Sequence, residues 1–148
     1  MKIIVQRVKS ANVKVENSIV GQINKGILAL VGITHTDTIN EIEWLVNKIA
    51  NLRIFDDENG IMNKSILDIK GEVLFISNFT LYGNSKKGGR PSYIDAAPSE
   101  ISKVLYEQFI NTFKTKYDSQ IKTASGIFGA MMDVELINDG PVTLIIEK

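Results

Sequence analysis

Residues 71–83 read Gly71-Glu72-Val73-Leu74-Phe75-Ile76-Ser77-Asn78-Phe79-Thr80-Leu81-Tyr82-Gly83. Val73 to Ile76 is a continuous apolar run rich in strand formers and follows a glycine, the pattern of a strand buried in a sheet. Ser77, Asn78 and Thr80 arrive where that strand ends. A strand that ends in a turn can aim successive N–H groups and hydroxyls at one oxygen, although the same Ser and Thr can also satisfy local backbone groups.

Upstream, Ile3 to Val8, Val13 to Val15, Ile19 to Ile23 and Gly26 to Ile33 read as strands, with Asn17-Ser18 and Asn24-Lys25-Gly26 as turns. The run Ile27-Leu28-Ala29-Leu30-Val31 predicts a second strand covered on both sides. Thr38 and Glu41 have capping-box spacing, and Ile42, Leu45, Val46 and Ile49 then share a helix face ending near Asn51. Arg53-Ile54-Phe55 reads as a short strand before the acidic turn Asp56-Asp57-Glu58-Asn59-Gly60, whose carboxylates do not fall at calcium-loop positions. Downstream, a helix is expected from Pro98 with Ile101, Leu105, Phe109, Phe113 and Tyr117 as its core stripe. Strands at Met132 to Ile137 and Val142 to Ile146 flank a tight turn at Asn138 to Pro141. The expectation is one mixed α/β domain over residues 1–148, with about eight mostly antiparallel strands in barrel-like or sandwiched sheets and two main helices.

The chain has 148 residues, 17 Lys plus Arg against 17 Asp plus Glu, no cysteine and one histidine. Zero cysteine excludes disulfides, thiolate nucleophiles and Cys-ligated zinc, and His35 alone leaves little from which to build an imidazole metal site, so neither metal nor cofactor is expected. No apolar run approaches the roughly 18 residues of a membrane span, and the start is too soon interrupted for a secretory segment, so a cytoplasmic protein with no membrane partner is expected. His35 sits just ahead of a helix N-terminus, where a cation is disfavoured, and reads as a structural loop residue. Any hydrolysis must then rely on backbone amides, hydroxyls or a group brought by the substrate. Between Val73 and Ile94 there is no acidic residue, while Lys86, Lys87 and Arg90 cluster with Tyr82 and Tyr93 close by, a candidate phosphate-binding loop. Gly140-Pro141 is a rigid turn able to present carbonyls at fixed angles, which suits discrimination of shape or chirality.

Taken together the segments resemble the D-aminoacyl-tRNA deacylase family along essentially the whole chain. The matching stretches are Met1 to Val8, Ser77 to Gly83, Gly89-Arg90-Pro91-Ser92-Tyr93, Gly126-Ile127-Phe128-Gly129-Ala130-Met131 and Asn138-Asp139-Gly140-Pro141-Val142-Thr143. The resemblance implies a cytosolic homodimer that hydrolyses the ester joining a D-amino acid to the 3′ end of tRNA, and that also removes glycine mischarged on tRNA-Ala, in chiral proofreading. It implies that Gly140 and Pro141 form a cis peptide reaching into the partner subunit's pocket as the chiral filter, that Arg7 braces this turn and that Phe128 lines the adenosine side. Ala130 and Met131 belong to the same substrate-binding segment, and Ser77, Phe79 and Thr80 match the catalytic strand end. Asn78 stands where the family usually has glutamine.

The implied partner is aminoacyl-tRNA and not DNA, with Lys86, Lys87 and Arg90 as possible tRNA contacts. The rivals are a non-catalytic tRNA-binding module and the sister deacylase that clears L-alanyl-tRNA. Arg7, which in the resemblance accompanies the cis turn, argues against the sister enzyme. Neutralising Lys86, Lys87 and Arg90 together is expected to raise the Michaelis constant for charged tRNA and to flatten its dependence on salt. Kinetics at low and high salt check this, and identical curves would return the loop to ordinary surface.

Overall fold

In a computed structural model describing residues 1–148, the run at 72–77 is an interior strand of a six-stranded sheet. The strands are β1 (Lys2–Val15), β2 (Ser18–Ile23), β3 (Gly26–Gly32), β4 (Phe55–Asp56), β5 (Met62–Lys64), β6 (Glu72–Ser77), β7 (Lys122–Ser125) and β8 (Asp133–Glu147). The helices are α1 (Ile39–Asn51) and α2 (Ser99–Tyr117), with a short 3-10 helix at Phe79–Tyr82. The sheet order is β2-β1-β3-β6-β7, with β8 also paired to β1, and β4 and β5 form a separate small ribbon.

β1 pairs antiparallel with β2, β3 and β8. β3–β6 and β6–β7 are parallel, because α1 and then α2 supply the long crossovers that parallel neighbours require. The mostly antiparallel, barrel-like expectation therefore holds, with two parallel pairs where helices intervene. The ends of the sheet approach each other at Gly21, where a Cβ would lie 2.8 Å from Ser125 O. The absence of a side chain lets β2 come that close to β7 and nearly close the barrel.

β6 is covered on both faces, as its composition predicts. Val73 and Phe75 join a cluster of 25 buried residues beneath the helices, while Leu74 and Ile76 join a cluster of 7 on the other face. Phe75 meets Phe109 and Phe113 of α2 edge to face at 5.1 and 4.9 Å. α1 follows the sequence closely. Thr38 and Glu41 complete the capping box, and Ile42, Leu45, Val46 and Ile49 are buried.

α2 departs from the expected stripe. Its buried residues are Ser102, Tyr106, Phe109, Ile110, Phe113 and Tyr117, and Ile101 is half exposed. Each step of four residues overshoots a turn by about 40°, so a pure four-spaced stripe winds off the core face. The strands also run longer than expected. Ile3 to Val8 and Val13 to Val15 are parts of one strand, as are Met132 to Ile137 and Val142 to Ile146, so Asn138 to Pro141 is not a hairpin. At the acidic turn the Asp57 carboxylate accepts the Ile61 and Asn59 N–H groups, which hold its pKa below the ordinary range.

At Gly26 a Cβ would fall 1.8 Å from Glu72 O, at the start of the β3–β6 pairing. Gly26→Ala is expected to destabilise the fold by about 1–3 kcal/mol, because the backbone itself must give way. A urea melt with a lowered midpoint and an unchanged m-value would bear this out.

Candidate active site

A cavity of about 850 Å³ lies at the carboxyl ends of β3 and β6, within the size range of small-molecule sites. It opens where the two clusters meet, since Leu28 and Ile76 of the small cluster and Val31 and Ile33 of the large one all line it. Ser77, Asn78 and Phe79 come to it from the end of β6, and Phe128, Ala130 and Met131 from the connection between β7 and β8. Six of the expected residues thus line one cavity. Thr80 lies next along the chain without lining the cavity, and Arg7, Gly140, Pro141, Lys86, Lys87 and Arg90 lie outside it.

The turn after β6 is built by Asn78. Its N–H donates to Val31 O at 2.8 Å, tying the strand end to β3. Its Oδ1 caps the 3-10 helix by accepting the Thr80 N–H at 3.1 Å, and it also accepts the Thr80 hydroxyl. Leu81 N–H donates to Asn78 O. The first N–H of the helix, on Phe79, is the group that helical geometry leaves without a partner, and it sits on a residue that lines the cavity. The sequence offered successive N–H groups at this strand end, and the structure commits that of Thr80 to Asn78. The shorter amide at position 78 therefore serves as a local cap, a role that suits asparagine.

Beneath this turn Tyr106 of α2 donates its hydroxyl to Phe75 O at 2.9 Å, and its ring lies 5.8 Å from that of Phe128. Burial pushes the Tyr106 phenol above its ordinary range, against a smaller opposing effect of the Ser77 backbone, so it stays a donor. One side chain thus supports both the strand end and the aromatic wall. Ser102, one turn earlier, donates to Ala97 O at 3.1 Å and also faces the cavity.

Arg7 is 6% exposed and organises a different place. Its Nη1 donates to Ile54 O at 2.8 Å and to Asp56 Oδ1 at 3.1 Å, while its Nε donates to Asp139 O at 3.2 Å and lies 3.3 Å from Asp139 Oδ2. Opposite Arg7, residues 139–142 leave the β1–β8 ladder as an excursion. Asn138 closes its neck by donating to Arg7 O at 2.8 Å and Val142 O at 3.1 Å. Within it the Gly140-Pro141 peptide is cis and Gly140 has φ +117°, backbone that favours glycine. A Cβ there would also lie 3.1 Å from Arg7 Nη2.

Lys86, Lys87 and Arg90 are exposed and form no ion pair. His35 donates Nε2 to Ile94 O at 2.8 Å, the structural role expected of it. The sequence did not reveal Gln6, Tyr93 and Ser102 as cavity residues. For Tyr93 the signal lay in its closeness to the basic loop, and its ring packs 5.1 Å from Phe79. Arg7→Lys is expected to cost about 2 kcal/mol, because a point charge cannot serve Ile54, Asp56 and Asp139 together. Equilibrium unfolding of the variant measures it.

The family described as D-Tyr-tRNA(Tyr) deacylase matches residues 4–147. The D-aminoacyl-tRNA deacylase of Fusobacterium nucleatum subsp. nucleatum is 58% identical over 147 residues, covering 99% of this chain and 95% of that protein. The protein of the same name from Desulfatibacillum aliphaticivorans is 54% identical over 148 residues, covering 100% and 99%. A solved structure titled c-Myc DNA Unwinding Element Binding Protein superposes with a TM-score of 0.92 at 41% identity, covering 100% of this chain and 99% of that one. With residues 4–147 matched and relatives this similar over their full length, the chain belongs to the D-Tyr-tRNA(Tyr) deacylase family.

Proposed function

We propose that this protein is a D-aminoacyl-tRNA deacylase, which hydrolyses the ester between a D-amino acid and the 3′ end of tRNA and releases both. The observation that carries the reading is the convergence of Ser77, Asn78, Phe79 and Phe128 on one cavity in a chain of this family. The ester carbonyl rests against the Phe79 N–H, and water adds to the carbonyl carbon. The bond to the ribose oxygen then breaks, and the proton from water passes to that oxygen, leaving a free carboxylic acid and a 3′-hydroxyl. A preorganised donor aimed at the oxyanion is worth about 3–4 kcal/mol.

The neighbouring 2′-hydroxyl of the ribose positions the water. Thr80 is not the nucleophile, since its hydroxyl proton goes to an amide oxygen, which is no base at neutral pH. Ser77 orients the substrate from the strand end, Phe128 takes the adenosine, and Ala130 and Met131 form the rim. These steps draw on water and the substrate's own hydroxyl and call for no metal or cofactor.

The active form is a homodimer in which Gly140 and Pro141 enter the partner's cavity and exclude an L side chain by collision, a firmer rejection than a missing contact gives. β8 has a neighbour on one side alone and exposes Ile137 and Ile145, which favours its use as an interface. Glycine has no side chain to exclude, so glycine mischarged on tRNA-Ala is also removed. The reaction serves translation quality control in the cytoplasm, and no helix of the chain is long and apolar enough to cross a membrane.

Release of amino acid from D-tyrosyl-tRNA, L-tyrosyl-tRNA and L-alanyl-tRNA, measured in EDTA, tests the reading. Loss of the D ester alone is expected. Loss of L-alanine would favour the sister enzyme. Salt-sensitive tRNA binding with every ester intact would favour a non-catalytic module using Lys86, Lys87 and Arg90, with duplex DNA as the competitor to include, given the name of the related structure. Thr80→Ala is expected to keep most of the activity, and near-total loss in a folded variant would reinstate a threonine nucleophile.

A further inference from the structure

The chain has one tryptophan, Trp44, which is 39% exposed on α1. Lys48 Nζ lies 5.9 Å and Lys148 Nζ 5.5 Å from its ring centre, and neither lysine has a carboxylate in ion-pair range. The ring attracts each ammonium, and with no carboxylate paired to either one, both charges are left for an incoming anion. Alongside, Lys2 Nζ sits 4.8 Å over the Tyr82 ring and 3.5 Å from Glu147. Of the carboxylates nearby, Asp37 pairs with the Met1 ammonium and Glu41 sits in its capping box.

Lys2 pairs with Gly32 and Glu147, which puts it at the end of the sheet where β3 and β6 deliver residues to the cavity. Tyr82 closes the 3-10 helix that begins at Phe79. Lys148 follows Glu147, the partner of Lys2, so the cluster of Trp44, Lys48 and Lys148 lies at the cavity end of the sheet, and neither the strand end after β6 nor the basic loop uses it.

We propose that this cluster of Trp44, Lys48 and Lys148 binds the sugar-phosphate backbone of the RNA substrate beyond its esterified end. Lys48 and Lys148 each neutralise a phosphate, and Trp44 lies against a ribose or an unpaired base. The inference rests on the reading of tRNA as the substrate. It fits a chain whose formal charge is zero, since such a chain must hold a polyanion through local clusters rather than through its overall field.

Trp44 is its own reporter. Titration of the full-length protein with deacylated tRNA is expected to quench its fluorescence. Lys48→Gln combined with Lys148→Gln should raise KM for D-tyrosyl-tRNA about 5-fold or more with kcat unchanged, and reduce the salt slope of log KM by about 1.5 to 2. Lys48→Arg with Lys148→Arg should restore both. Unquenched fluorescence, or a double glutamine variant with the parental KM and slope, overturns the surface while leaving the deacylase reading intact. Quenching and a reduced binding slope in a protein that hydrolyses no ester would support the surface and remove the deacylase reading.

Discussion

The antiparallel pairing of β1 with β8 is the constraint on which the sheet and both candidate functional elements depend. β1 carries β3 and β2 in succession along one edge while β8 follows its whole length along the other. Near Arg7 both strands change faces. Ile3 and Val5 of β1 belong to the large cluster, but Ala11 and Val13 belong to the small one. On β8, Val134 and Leu136 pack against the small cluster, whereas Ile146 joins the large one. The irregularity that makes this exchange possible is also where residues 139–142 leave the ladder. A buried guanidinium is well suited to the spot, because its planar fork can satisfy carbonyls and carboxylates that a broken ladder leaves facing inward.

The cavity end of the sheet is governed by different economies. Asn78 anchors β6 to β3 through its backbone, caps the short helix through its side chain and takes the Thr80 hydroxyl. These contacts draw in the polar groups around Phe79 and leave its N–H as the free donor. Tyr106 fixes the same turn from below through Phe75. The candidate catalytic group is thus a main-chain atom held by neighbouring side chains, so it has no residue type of its own to betray it in a sequence.

Much of the fold could be read from local pattern. Both doubly covered strands showed themselves as short apolar runs, and α1 declared its start through Thr38 and Glu41, because these signals lie within one turn or one strand. What escaped reading is set at long range. The continuity of β1 and β8 is hidden by the irregularity at Lys9 and the excursion at 139–142, which interrupt the period that marks a strand. The face of α2 depends on where Phe75 sits, and Ser102 and Tyr106 look no different from surface positions until β6 is beneath them. Ser77 to Phe79 and Phe128 to Met131 were legible through a resemblance covering several segments. Gln6 reaches the cavity through strand register, which a one-dimensional reading does not contain.

The excursion on β8 has a simple arithmetic. Val8 faces Asn138 and Gln6 faces Thr143, so two steps along β1 are met by five along β8. The surplus of three is odd, so the excursion is also what turns β8 over between Leu136, which packs on the small cluster, and Ile146, which joins the large one. The Gly140-Pro141 turn is therefore built into the break that exchanges the two faces and is not an ornament on a finished barrel. A lineage could change the length of this turn only in steps that keep β8 facing as it does, which ties the history of the turn to the history of the fold that bears it.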